Sequence, residues 1–329
     1  VEISASPALP PLKVILAQPR GFCAGVERAI DIVEKALQLY GAPIYVRHEI
    51  VHNRWVVEDL KAKGVVFVDE VAQVPDGAIT VFSAHGISEK VENEARLREL
   101  PIIDATCPLV TKVHVEAQRY EAEGREIIMI GHAGHPEVEG TSGRVKNGVK
   151  LVSTVEDVAT LQVNDPEKLA YVTQTTLSVD DTRQVIEALT ARFPAIKGPA
   201  LRDICYATQN RQNAVKDLCS RVQLLLVIGA ANSSNSNRLR DRGEELGIPS
   251  FLINDYRELR PEWLNGVETL GITAGASAPE LLVEQLLDAL NRLRPIEIIP
   301  HEGVVENTRF KLPPEVTSAP FPERMKNTA

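Results

Sequence analysis

The apolar positions of the chain alternate between the period of strands and the period of helices. Val14-Ile15-Leu16-Ala17 is an apolar run of strand length that feeds the turn Pro19-Arg20-Gly21-Phe22-Cys23-Ala24-Gly25. From there Val26, Ala29, Ile30, Val33 and Leu37 fall on one helical face, and Gly41 predicts the stop. A strand is expected over 44–46, leading into His48-Glu49-Ile50-Val51-His52-Asn53. A helix through Val56, Val57 and Leu60 should end at Gly64, with a strand over Val65–Val68 behind it. Residues 78–82 form a continuous apolar run, as expected of a strand covered on both faces. It delivers Ser83-Ala84-His85-Gly86, and a polar helix over 88–99 follows.

The alternation then recurs. After Cys107-Pro108 a helix is predicted as far as Gly124, then a strand over 127–130. That strand opens into Gly131-His132-Ala133-Gly134-His135-Pro136-Glu137, which reads as a loop. A strand over 169–172 precedes Thr173-Gln174-Thr175-Thr176, and Val179–Arg192 is an amphipathic helix. Beyond Cys205 come a helix over 207–221, a strand over Leu224–Ile228 and the loop Asn232-Ser233-Ser234-Asn235-Ser236-Asn237. A last strand ends at Gly271-Ile272-Thr273, and Pro279 is expected in the first turn of a helix reaching Leu293. Alternating strands and helices predict parallel α/β sheets, whose ligands bind at the loops beyond the strands' C-terminal ends.

Three cysteines punctuate this pattern at matching places. Cys107 follows Ile102-Ile103-Asp104-Ala105-Thr106, and Cys205 follows a weaker lead-in, Asp203-Ile204. His52, His135 and Asn235 lie 29, 28 and 30 residues beyond Cys23, Cys107 and Cys205. A second polar cluster then follows in each case, at His85, Thr175 and Ser277. Repetition of this kind predicts three similar α/β units with small, mostly parallel sheets. The boundaries read from it are a flexible leader over 1–11, units over 12–106, 107–204 and 205–305, and a tail over 306–329.

Composition narrows the class. The chain has 329 residues, 44% of them hydrophobic and 25% charged, which is ordinary for a globular protein with real cores. A net charge of −9 argues against a nucleic-acid surface, which needs clustered Lys and Arg. No apolar run reaches the ~20 residues of a membrane-spanning helix. The residues Val1-Glu2-Ile3-Ser4-Ala5-Ser6 show no basic region ahead of an apolar core, so no secretory signal is read. Four cysteines without tight pairing fit a reducing cytoplasm.

A thiol at a helix start sits beside unsatisfied N–H groups, which is expected to favour the metal-ligating thiolate. Taken one at a time, Cys23, Cys107 and Cys205 read as buried and inert. Their equivalent positions reverse that reading and suggest one shared metal site. Three thiolates suit an iron–sulfur cluster with one iron lacking a cysteine, an iron usable as a Lewis acid. Cys219, fourteen residues past Cys205 and without a counterpart, reads as structural.

The polar loops add His52, His85, His135, Ser233, Ser234, Asn235 and Ser277, a donor-rich set suited to phosphate or diphosphate. An acidic chain holding a polyanion needs local positive potential, and protonated imidazoles are expected to supply it. His48 and His132 break the repeat spacing and rank lower. Glu137 is a lone carboxylate among donors, and Thr175 and Thr176 could orient a bound hydroxyl. Neither a dinucleotide nor an NTP fingerprint is present, so electrons would come from a separate carrier protein. A metal-dependent phosphatase and a non-catalytic iron–sulfur sensor remain alternatives on these residues alone.

These motifs together resemble the 4-hydroxy-3-methylbut-2-enyl diphosphate reductase family. The resemblance is carried by the 19–25 turn, Arg47-His48-Glu49-Ile50-Val51-His52-Asn53, Ser83-Ala84-His85-Gly86 and Asp104-Ala105-Thr106-Cys107-Pro108-Leu109-Val110. It continues through the 131–137 motif, Thr173-Gln174-Thr175-Thr176-Leu177-Ser178, the 232–238 motif and Thr273-Ala274-Gly275-Ala276-Ser277-Ala278-Pro279, over about 13–305 in all. Gln18, where Asn is expected, and Cys219 are small departures.

The resemblance implies three α/β units in pseudo-threefold arrangement around a central cavity. It implies a 4Fe-4S cluster held by Cys23, Cys107 and Cys205, and diphosphate contacts from His52, His85, His135, Ser233, Ser234, Asn235 and Ser277. Glu137 would be the proton donor, with Thr175 near the substrate hydroxyl. The implied reaction removes an allylic hydroxyl with two electrons and two protons, yielding isopentenyl and dimethylallyl diphosphate as the last step of the methylerythritol phosphate route. An external donor of ferredoxin or flavodoxin type and a cytoplasmic location are implied, with neither nucleic acid nor membrane as partner.

Overall fold

The structure, a computed structural model, describes residues 10–199, 203–318 and 321. The leader expected over 1–11 lies outside the described residues apart from its last two positions. In chain order the first elements are β1 (Leu12–Leu16), α1 (Ala24–Tyr40), β2 (Ile44–Arg47), α2 (Arg54–Ala62) and β3 (Val65–Val68). Next come β4 (Thr80–Phe82), α3 (Glu89–Leu97), β5 (Ile102–Asp104), α4 (Pro108–Ala122) and β6 (Glu126–Ile130). Then follow α5 (Pro136–Ser142), β7 (Lys150–Val152), α6 (Val155–Thr160), β8 (Leu169–Thr173) and α7 (Val179–Arg192). The chain continues through α8 (Tyr206–Cys219), β9 (Leu224–Ile228), α9 (Ser234–Glu245), β10 (Ser250–Ile253) and β11 (Thr269–Ala274). It closes with α10 (Glu280–Leu293) and β12 (Ile296–Ile299).

The strands form three parallel sheets, ordered β10-β9-β11-β1-β12, β3-β2-β4-β5 and β7-β6-β8. One order recurs in them: second, first, third, then a strand that runs on toward a cysteine. That last strand is β1 ahead of Cys23 and β5 ahead of Cys107. In the third sheet Lys197 makes a single parallel bridge to Ala170 of β8 in the same place, ahead of Cys205.

This corrects the expected start of the first unit. β1 pairs with β11 and β12, in the sheet of the third unit, and not with β2. The partners are far away along the chain, and a periodicity read locally carries no information about them. By its contacts the chain divides into two units. One is the chain up to Phe22 with Asn210–Glu306; the other is Cys23–Gln209 with the chain from Asn307 on.

In the first of these, β9 is buried along its whole length. Leu224, Leu226 and Ile228 pack with Leu282, Leu286 and Leu290 of α10, whereas Leu225 and Val227 pack with Val215 and Leu218 of α8 and Leu239 of α9. Alternate residues therefore feed two cores, which is why the run reads as unbroken apolar sequence. Cys219 belongs to the second of these cores. In the other unit Val113, Ala117 and Tyr120 of α4 cover one face of the three-stranded sheet, and Val185 and Leu189 of α7 cover the other.

Two local expectations change. The His-rich stretch is not all loop, because α5 begins at Pro136 with His135 as its N-cap. Proline at the first helical position, with Glu137 and Glu139 in the first turn, is a helix start that was legible in the sequence. Pro279 caps α10 and does not enter its first turn. The proline-rich tail wraps back: Val316 is buried, and Tyr40 of α1 donates its hydroxyl to the carbonyl of Glu315. No helix among the described residues is long and apolar enough to cross a membrane.

Candidate active site

Cys23, Cys107 and Cys205 all fall in the unit that holds the two smaller sheets. Cys23 and Cys107 are the N-cap residues of α1 and α4, and the Leu109 and Val110 N–H groups bond to the Cys107 sulfur. Cys205 precedes α8, where its sulfur accepts from the Thr208 N–H at 3.4 Å and lies 3.1 Å from the Thr208 hydroxyl. A Cβ added at Gly25 would sit 2.7 Å from Cys107 Sγ and 3.8 Å from Cys23 Sγ. The Cys107 sulfur thus crowds this position, and the Cys23 sulfur lies in ordinary contact with it.

Helix starts were expected to favour thiolate here, but burial wins. Burial and the facing Cys23 and Cys205 push the Cys107 thiol up to about 12. Burial and Cys23 raise Cys205 to about 11, against the opposing Thr208 hydrogen bonds. Cys107 and Cys205, dehydrated and facing Cys23, ionise readily only around a polycation, which deprotonates its thiol ligands outright. Among the described residues no three His, Cys, Asp or Glu side chains close on a point fit for one metal ion. Three cysteine thiols are the ligand type that an iron–sulfur cluster takes. The residues fit a 4Fe-4S cluster.

The histidines gather at strand ends in the same unit. His52 follows β2, His85 follows β4 and His135 follows β6. The His52 and His85 rings stack with centroids 4.1 Å apart, and His135 meets them edge-on at 5.8 and 6.0 Å. His135 Nδ1 accepts the Glu137 N–H at 3.2 Å, so its proton sits on Nε2, the atom left for a ligand. His52 Nδ1 lies 3.1 Å from Glu49 Oε2. Burial first, then His52 and His132, lower His135 to about 4. Burial and the other histidines hold His85 well below the usual range. Burial thus disfavours at His85 and His135 the imidazolium form that the sequence leads us to expect beside a bound anion. His48, with φ of 61°, and His132, whose N–H is held by Gln174 Oε1 at 3.1 Å, lie in the same loops.

Glu137 is only 2% exposed in the first turn of α5. The Thr175 N–H donates to its Oε1 at 2.7 Å and the Thr175 hydroxyl to its Oε2 at 3.0 Å. Burial raises its pKa to about 7 although both Thr175 bonds oppose the shift. A carboxyl poised there can hold a proton at neutral pH and release it.

The other unit carries the remaining polar loops. Ser233 caps α9, accepting the Ser236 N–H at 3.3 Å and the Ser236 hydroxyl at 3.1 Å, and Ser234 opens the helix. A Cβ at Gly229 or Gly275 would fall 2.2 or 2.0 Å from Ser236 Oγ, so the helix start seats tightly on the ends of β9 and β11. Asn235 Oδ1 takes the Ala276 N–H at 2.8 Å. Its buried Nδ2 has no acceptor among the described residues, nor has the buried Thr273 hydroxyl a partner. Ser277 is buried on the turn before α10. Unmatched buried donors are costly unless a ligand meets them.

Residues 14–291 match the protein family described as LytB protein. The chain belongs to the LytB family. A relative from Bradyrhizobium diazoefficiens named 4-hydroxy-3-methylbut-2-enyl diphosphate reductase 2 is 59% identical over 308 residues, 94% of this chain and all of that one. The Bordetella pertussis 4-hydroxy-3-methylbut-2-enyl diphosphate reductase is 60% identical over 312 residues, 95% of each chain. A solved structure of the E-1-hydroxy-2-methyl-but-2-enyl-4-diphosphate reductase of Plasmodium falciparum aligns with a TM-score of 0.89 at 39% identity. It covers 93% of this chain and 97% of its own. These LytB relatives are named as reductases, so the phosphatase and sensor alternatives fall away.

Three residues of this LytB chain were passed over in the sequence reading. Asp203 accepts the Thr173 N–H at 3.1 Å and faces Lys112 Nζ at 3.2 Å, and burial raises it to about 7. Gln174 joins the His132 and Thr176 loops, donating to Thr176 Oγ1 at 2.9 Å. His114 is buried under Gly86, with its Nε2 unmatched among the described residues. Gln174 and Asp203 lay inside quoted stretches, whereas His114 carried no signal in the sequence.

Proposed function

We propose that this LytB chain catalyses the two-electron, two-proton reductive removal of the allylic hydroxyl from (E)-4-hydroxy-3-methylbut-2-enyl diphosphate. Isopentenyl and dimethylallyl diphosphate and one water are the products. The observation that carries the reading is the Glu137–Thr175 pair, a carboxyl poised near neutrality with a hydroxyl bonded to its oxygen. Hydroxide is a poor leaving group, and an acid that protonates the departing oxygen lowers that barrier. Glu137 supplies the proton: when Oε2 carries it, that O–H donates to Thr175 Oγ1, whose own proton passes to the substrate hydroxyl that it orients.

A 4Fe-4S cluster bound by Cys23, Cys107 and Cys205 supplies the electrons and a Lewis acid. Its electrons come from an external one-electron carrier of ferredoxin or flavodoxin type, and the reaction runs in the cytoplasm. Each unit offers a donor set suited to phosphate oxygens. One set is His52, His85 and His135; the other is Ser233, Ser234, Asn235 and Ser277. N–H and O–H donors recognise the diphosphate by hydrogen bonding, which fixes the hydroxyl end of the substrate.

Glu137→Gln tests this reading, since it keeps shape and hydrogen bonding but removes the transferable proton. The turnover number should fall ~100-fold or more, with iron and sulfide content at the wild-type level. A Gln variant that turns over normally would remove Glu137 as the acid.

A further inference from the structure

The helix after each of the three cysteines carries a cation five or six residues on: Arg28, Lys112 and Arg211. Each reaches the segment that presents the next cysteine in chain order, the third returning to the first. Arg28 Nη1 donates to the Thr106 carbonyl at 3.0 Å, immediately before Cys107. Lys112 Nζ meets Asp203 Oδ1 at 3.2 Å, two residues before Cys205. Arg211 donates to the Gly21 carbonyl through Nη2 at 2.8 Å and Nε at 3.1 Å, and to the Phe22 carbonyl at 3.2 Å, immediately before Cys23. Local periodicity gives no hint of this arrangement, which repeats with the cysteines.

The contacts act where a sulfur's position is decided. The helix fixes the backbone that follows each cysteine, so the peptide before it sets the remaining direction of the side chain. Two of the cations are themselves held. Arg211 is fully buried and pairs with Glu306 at 3.1 and 3.2 Å, and Arg28 Nε donates to the Lys311 carbonyl at 2.7 Å. Groups locked in this way hold ligands to within the tolerance that a metal centre demands. The 2.7 Å gap between a Cβ at Gly25 and Cys107 Sγ shows how little slack exists.

We infer that Arg28, Lys112 and Arg211 are positioning residues for the three-cysteine centre, each fixing the segment that presents the next sulfur. The inference rests on the reading of Cys23, Cys107 and Cys205 as cluster ligands.

The test uses the full chain reconstituted anaerobically with iron and sulfide. Its readouts are iron and sulfide content, the rate of iron loss to a chelator, and the melting temperature of the metal-free chain. Arg28→Gln and Lys112→Gln should lose iron ~10-fold faster or more, the usual scale for residues that orient metal ligands. Their metal-free melting should stay near wild type, and Lys112→Arg should restore retention. Lys112→Gln is made together with Asp203→Asn, and Arg211→Gln together with Glu306→Gln, so that no carboxylate is left buried without its cation. Wild-type loss rates in all these variants, beside a wild-type chain that holds its cluster, would overturn the inference alone. Faster loss that only tracks a lower metal-free melting temperature marks an ordinary structural role and overturns it too. A wild-type chain that takes up no cluster would overturn the cysteine reading beneath it.

Discussion

Thr175 holds both carboxyl oxygens of Glu137, through its backbone N–H at 2.7 Å and its hydroxyl at 3.0 Å. The pair joins the start of α5 to the loop after β8, and it buries an acid whose pKa burial brings to about 7. The raised value has a sign that can be checked. Glu137 is protonated below about 7 and ionised above it, so the turnover number should decline as the pH rises through neutrality. Glu137→Gln should show no such limb. A wild-type profile that stays flat from pH 6 to about 9 would separate this carboxyl from the rate-limiting proton transfer.

The same shift bears on stability. The folded pKa lies above the ordinary carboxylate value, so the folded chain is stabilised where Glu137 stays protonated and loses that contribution as pH rises through about 7. Thermal melting of the metal-free chain should therefore decline less between pH 4.5 and about 7 in Glu137→Gln than in the wild type.

Gly25→Ala separates cluster binding from folding. Alanine in a helix is favoured over glycine by about 1 kcal/mol, so the metal-free chain should melt no lower. Yet the new methyl would sit 2.7 Å from Cys107 Sγ and displace it. Iron and sulfide content should fall sharply while the melting temperature holds. Full cluster content in Gly25→Ala would mean that the sulfur has room to move.

Serine replacements should divide the cysteines. Cys23→Ser, Cys107→Ser and Cys205→Ser should each lose most of the bound iron. Cys219 packs with Val215 and Leu218, so Cys219→Ser should keep the cluster while burying a hydroxyl at a cost of about 1–3 kcal/mol. Chemical denaturation and iron analysis of the four variants decide the assignment. Loss of iron in Cys219→Ser would break it.

His114 should mark the acid limb of stability. Burial, with Arg144 adding to it, lowers His114 from 6.5 to about 4. The unfolded chain therefore takes up this proton first, and the stability present above pH 6.5 is lost as pH falls toward 4. Replacing the ring with leucine also removes an unmatched buried nitrogen. His114→Leu should lose less melting temperature between pH 7 and about 5 than the wild type does. Parallel curves would count against the buried neutral imidazole.

Much of this protein was set by sequence alone. The period of apolar residues places Val65–Val68, Val179–Arg192 and Leu224–Ile228 without help, because each is settled by burial of a local face. The threefold spacing of cysteine and polar loop, and the motifs that resemble the reductase family, likewise need no coordinates. Tertiary structure decided what depends on distant partners. β1 lies beside β11 and β12, and no local pattern can say which far strand it will pair with. The protonation of the site was out of reach for a related reason. A helix start raises the thiolate fraction of an exposed cysteine, and a histidine near an anion is an obvious cation. Burial is the larger effect in both cases, raising Cys107 to about 12 and lowering His135 to about 4. Desolvation depends on every atom packed around the group, and that packing exists only once the chain is folded.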